Sequence, residues 1–230
     1  MPAEQLRLSV PTTGERPARR LPARIAPMQA TPVDAPFDDP AYLFEPWWPG
    51  ARALVLVERG GLRLQVDGLA DALAAFPELR DLSAQLAEDG VVLDGTLLVL
   101  DDQGRPDPEL LRSRLGGDSR SGRPAYVASD LLWAGGQPAG RRSFRVRRAW
   151  LEAILAPGDR VTVGRGYVGD GTLVAEALGG LGVEALSARR LDARHRSGPA
   201  GNAWLRAPVT PAEPRPRPTL SLILRLPLDV

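Results

Sequence analysis

Residues 52–68, RALVLVERGGLRLQVDG, alternate apolar and polar side chains on both sides of Arg59-Gly60-Gly61, the pattern of a β-hairpin with a glycine turn. The downstream segments limit the fold further. Residues 69–90 show helical spacing at Leu69, Leu73, Phe76, Leu79, Leu82 and Leu86, closed by Gly90. Residues 91–107 read as a second hairpin-like pair of apolar runs, with Asp101-Asp102-Gln103-Gly104 turning after the second. A strand is expected over AYVASDLLWA, a helix capped by Ser143 and stopped by Pro157-Gly158, a short strand at RVTV, a helix from Gly171, and strands over VEALSARRL and NAWLRAPV. Strands and helices do not alternate regularly, so the class is α+β rather than a doubly wound parallel sheet. Residues 1–24, rich in Pro and Arg, are expected to form a disordered arm outside the fold. After residue 208 come a Pro/Arg linker and an apolar tail, LSLILRLPLDV, expected to add a terminal edge strand or to meet a partner.

Composition narrows the chemistry. The 230 residues contain no cysteine and one histidine, which removes thiolate chemistry, disulfides and His-built metal sites. All 29 cations are arginine, because no lysine occurs anywhere. Guanidinium groups stay protonated and are not nucleophiles, so no step can use a side-chain amine. No stretch approaches the roughly 18 apolar residues of a membrane span and no apolar signal core is present, so a cytoplasmic chain without membrane contact is expected. The net charge of +1 argues neither for nor against a polyanionic partner.

Two arginine groups are candidate phosphate contacts: Arg141, Arg142, Arg145, Arg147 and Arg148, and Arg189, Arg190, Arg194 and Arg196 with His195 among them. The alternative is a solvated face paired with nearby Asp and Glu, with His195 a lone surface histidine. The run GRGYVG at 164–169 matches GxGxxG formally. Asp170-Gly171 separates it from the next helix, so a pyrophosphate would not rest on a helix N-terminus.

Seven short stretches occur in one order at consistent spacings: PMQAT (27–31), FEPWWPGARA (44–53), LDGTLLVLD (93–101), ASDLLWAGG (128–136), the Arg147-to-Leu155 helix, LGVEALSARRLDARHRSG (181–198) and WLRAP (204–208). Together they resemble the nucleotidyltransferase (adenylation) domain of ATP-dependent DNA ligases of the bacterial end-joining type, over about residues 25–208. The resemblance implies an ATP-grasp-like α+β domain of antiparallel sheets flanked by helices, with ATP and Mg as the family's cofactors. No C-terminal OB domain of the family's kind is expected after residue 208.

Glu45, Trp48, Gly50, Arg52 and Glu184 fit the family pattern. Trp47 occupies the place of the nucleophilic lysine, Pro49 that of an acidic residue, Thr96 that of the ribose-contacting glutamate and Ser129 that of the adenine-stacking aromatic. Arg189, Arg206 and Pro208 replace lysines, the last two at phosphate-binding positions. The remnant nucleotide pocket implied is therefore Glu45, Trp47, Arg52, Thr96, Ser129, Glu184, Arg189 and Arg206, with no catalytic residue, no metal site and no cofactor expected. Trp47 is expected to be largely buried between two sheets, its apolar area contributing about 25 cal/mol per Å²; alternatively it is a platform for stacking a base or a DNA end. The leading expectation is a degenerate ligase-like domain that binds DNA or a DNA-repair protein. An active nucleotidyltransferase with rearranged chemistry and an interaction domain with no nucleic-acid role stay open beside it.

Overall fold

The computed structural model describes residues 20–59, 61–66, 69, 71–118, 120–211 and 218–225. The chain runs through β1 (Asp39–Pro46), β2 (Ala51–Glu58), β3 (Gly61–Val66), β4 (Val91–Leu100), α1 (Pro108–Gly116), β5 (Arg123–Ala134) and α2 (Phe144–Ile154). It continues through β6 (Val161–Val163), β7 (Tyr167–Gly169), α3 (Gly171–Gly180), β8 (Ala185–Arg190), β9 (Trp204–Pro208) and α4 (Leu220–Leu224). The first sheet has the order β3-β2-β4-β5 with residues 137–138 beyond, and β6 lies parallel to β5. The second has the order β7-β1-β8-β9, with residues 31–32 parallel to β9. Among the described residues no OB domain is evident, and no helix is long and apolar enough to cross a membrane.

Period-two alternation sends the two faces of β4 into different cores. Val91, Leu93, Leu97 and Val99 join Leu79, Leu82, Trp150 and Leu151 in the larger one. Leu98 and Leu100 join Tyr42, Phe44, Leu178 and Leu186 in the second. The face of β1 that carries Leu43 and Glu45 looks the other way, towards the cleft between the sheets.

Four expectations need correction. Residues 91–100 form one continuous strand, with register irregularities at Val92/Leu93 and Asp94/Gly95, not two arms of a hairpin. The helical segment before it is a 3₁₀ helix over Pro77–Gln85, and Leu69 is exposed and bridges back to Val66. The tail, where described, is a helix: Leu220 donates its N–H to the Gly104 carbonyl at 2.9 Å and Ile223 is buried in the second core. Residues 1–19 of the expected arm lie outside the described residues. Leu21, however, is buried against Leu54, Leu56 and Leu132, and its N–H donates to Glu58 at 2.8 Å.

Helix α1 was not expected, although its signals are in the sequence. Asp107 caps it by accepting from the N–H groups of Glu109 and Leu110 (2.8 and 3.1 Å), Pro108 opens the first turn, and Gly117 at φ 83° ends it. Ser143 sits at the N-cap of α2 without a side-chain bond. The hairpin of β2 and β3 forms as expected, its turn residue Gly60 lying outside the described residues.

Candidate functional site

The cleft is built where strand pleats of both sheets aim side chains at one another. From the first sheet come Arg52 on β2, Thr96 opposite it on β4, and Ser129 on β5. From the second come Glu45 on β1, Ser187 opposite it and Arg189 on β8, and Trp204 opposite Arg189 on β9. The turn between β1 and β2 closes one side with Trp47 and Trp48. That turn needs glycine: a Cβ on Gly50 would run into the Leu97 carbonyl oxygen, and one on Gly95 beneath it into that of Val127.

Buried ion pairs fill the floor. Arg147 makes a two-pronged contact with Asp130, Nε and Nη2 each donating at 2.7 Å, and donates further to the carbonyls of Arg142 and Ala193. Arg148 donates to Glu45 and Glu152 at 2.7 Å and to the Gly164 carbonyl. Arg52 pairs with Asp94. Arg189 lies 3.6 Å from Asp130 and 3.9 Å from Glu45, over the Trp204 ring at 4.1 Å, while Arg52 stands 4.3 Å from the same ring. Trp204 donates its indole N–H to Ser187 at 2.8 Å and stacks on Trp47 at 5.5 Å, and Arg206 lies 4.8 Å from the Trp47 ring. Burial works to raise the Asp130 carboxyl, but Arg147, then Arg189 and His195, more than offset it and hold it below its ordinary value. For Arg189 burial prevails over Asp130 and Asp94, and its affinity for the proton falls.

The cavity left in this cleft has a volume of about 60 Å³. Two of its lining residues carry buried nitrogens without hydrogen-bond partners: Nε and Nη1 of Arg52 and Nε of Arg189. Thr96, Ser129, Arg52, Glu45 and Arg189 are thus brought together with Trp47. Two placements differ. Trp47 is half-buried rather than enclosed, because Trp48, 5% exposed, takes the core position. Glu184 and Arg206 are exposed and border a separate cavity on β8 and β9.

The arginine groups divide by burial. Arg147, Arg148 and Arg189 are inside and paired, and so are not surface phosphate contacts. Arg190 is half-buried and held by Asp192 at 2.7 Å. Arg141, Arg142, Arg145, Arg194 and Arg196 are exposed, and among the described residues none of the five has an ion pair. Their two loops are one surface, tied by Phe144 N–H to the Ala193 carbonyl (2.8 Å), Arg145 N–H to that of Leu191 (2.9 Å) and His195 N–H to that of Gly140 (2.9 Å).

His195 is not a free surface histidine. It packs on Gly140 with its Nε2 buried and unpartnered, within the field of Asp94, Asp130, Arg147 and Arg52. Burial pushes its proton affinity down despite the two carboxylates. The unfolded chain therefore protonates first: the contribution to stability is complete above about pH 6.5 and falls as the pH drops through that value, levelling once the folded imidazole is charged. His195→Gln is expected to flatten this part of the curve, read from urea midpoints between pH 5 and 7.5. Unchanged slopes would remove His195 from the network. Asp130 acts in a separate window, its contribution being lost only as the pH falls below the ordinary carboxylate range.

Sequence reasoning overlooked Asp94, Asp130 and Trp204. The usable signal was a lone Asp within an otherwise apolar strand, at LDG and SDLL, since such a charge is buried only when paired.

No protein-family model matches the chain. It is 31% identical over 186 residues to the multifunctional non-homologous end joining protein LigD of Mycolicibacterium smegmatis, covering 80% of this chain and 24% of that protein. The chain thus spans about a quarter of the length of the curated relatives it matches. Among solved structures, mycobacterial DNA ligase D complexed with ATP and MES superposes with a TM-score of 0.70 at 31% identity, covering 81% of this chain and 60% of that one. The ligase domain of Mycobacterium tuberculosis LigD gives 0.69 at 31% identity, with 80% and 59% covered.

Proposed function

The chain is a homologue of the ligase domain of LigD, the bacterial end-joining type of ATP-dependent DNA ligase, and on that premise we propose that it binds nucleic-acid phosphates without adenylating itself. The observation that carries this reading is the cleft. Its cavity of about 60 Å³ is far below the roughly 300 Å³ at which pockets begin to hold a drug-sized ligand. The residues there do not fit ATP. Trp47 offers an indole N–H that only donates, the chain has no side-chain amine to attack phosphorus, and Thr96 and Ser129 supply neither carboxylate nor aromatic face. Nor do they offer the family's metal a free carboxylate: Glu45, the one carboxylate among the residues lining the cleft, is held by Arg148 and Arg189.

Binding, on this reading, belongs to the five unpaired arginines on the joined loops at 141–145 and 194–196. Affinity for duplex DNA is expected to be independent of sequence, with Kd about 10⁻⁴ to 10⁻⁶ M at physiological salt. Each neutralised phosphate adds about −0.9 to the slope of log K against log salt, so replacing Arg142, Arg194 and Arg196 together by Ala is expected to flatten it by up to roughly 2.7. Arg112→Ala, whose exposed guanidinium is paired with Glu109 on α1, serves as the control with an unchanged slope. Titration of a labelled duplex at several salt concentrations checks this. Binding undetectable even at low salt would reject the nucleic-acid reading and leave a protein partner.

A further inference from the structure

Beside the cleft opens a second cavity, of about 220 Å³, which shares Trp47 alone with the first. Its apolar lining includes Trp47, Pro49, Pro106, Pro108 and Ile223. Its charged groups are Glu184, an acceptor, and Arg206, a donor, both exposed and neither in an ion pair among the described residues. We propose that this cavity holds one unpaired nucleobase at the end of a nucleic-acid strand, an inference that rests on the phosphate-binding reading above.

The volume is too small for a whole nucleotide triphosphate and suits a single planar ring system. Every base has a π-face, and proline rings and an indole are surfaces on which such a face packs without regard to sequence. Glu184 can accept from an exocyclic amino group. Arg206, held 4.8 Å from the Trp47 ring, can donate to a ring nitrogen, a carbonyl or the neighbouring phosphate. The cavity and the arginine loops share one strand: Ala185 lines the cavity, and β8 ends at Arg190, where the loop bearing Arg194 and Arg196 begins. At about 3.3 Å per residue these points are roughly 17 Å apart. A single-stranded extension of a few nucleotides is long enough to cover that separation.

The test compares a blunt duplex with one carrying a short single-stranded overhang that ends in 2-aminopurine. The overhang is expected to bind about 5- to 150-fold more tightly, the range that stacking one base on an aromatic ring confers, and its fluorescence to be quenched. Trp47→Ala is expected to abolish the preference and leave blunt-end binding in place. Quenching is read on the unmodified protein, so the test stands even where Trp47→Ala fails to fold. Equal affinities without quenching, on a protein that still binds blunt duplex, would overturn the cavity proposal and leave the arginine reading intact. Loss of binding to both at low salt would overturn both.

Discussion

Incubated with labelled ATP and magnesium or manganese, the purified chain is expected to form no acid-labile adenylate. The expected effect is complete, because the reaction needs an amine that attacks the α-phosphate and no lysine occurs in the sequence. Restoring the nucleophile alone, by Trp47→Lys, is expected to leave the result unchanged. The cations over Trp204 would still be committed to Asp94 and Asp130, and Thr96 and Ser129 would still lack the family's carboxylate and aromatic ring. A stoichiometric labelled band on denaturing gels, from either protein, would reject the proposed loss of adenylation.

Asp130→Ala is expected to destabilise the fold by about 3–5 kcal/mol, read from urea unfolding, because it strands the Arg147 guanidinium in the interior. Asp130 is fully buried, and it is the acceptor for both prongs of Arg147 and the near neighbour of Arg189. Removing both members, as Asp130→Leu with Arg147→Met, is expected to cost much less, since two apolar side chains of similar bulk take the desolvation penalty away with the pair. A single variant no less stable than the double would show that the pair contributes nothing through its charge.

Much of the site could be read from residue order, yet burial could not. The arginines at 141–148 look like a single cationic run. On α2, Phe144, Arg147, Arg148 and Leu151 fall on the same stripe at helical spacing, and that stripe faces inward. Their partners Asp130 and Glu45 arrive from strands far away in sequence, so nothing local marked two of the five as interior. The 91–100 strand was misread for a related reason. It is buried on both faces, so its pattern is a continuous apolar run broken at Asp94-Gly95 rather than an alternation, and the break looks like a turn when it is an irregularity in register. Glu184 sits beyond the last cleft-facing pair of β8, outside the position that its place in the motif implied. By contrast, Arg52 with Thr96 and Glu45 with Ser187 are direct cross-strand neighbours, joined by strand register.

The pairing of β1 with β8 has a consequence for how the chain acquires its shape. The first sheet joins segments near one another in sequence, from residue 51 to residue 163. The second cannot close until Glu45 meets Ser187, so β1 leaves the ribosome early and waits, its edges bare, while most of the domain is synthesised. Closing so long a loop costs chain entropy that only the completed sheet offsets, which places this step late in folding and makes it slow relative to the first sheet. Chains interrupted before residue 190 would carry an unpaired apolar strand next to a finished half-domain, the kind of edge through which nascent proteins associate wrongly.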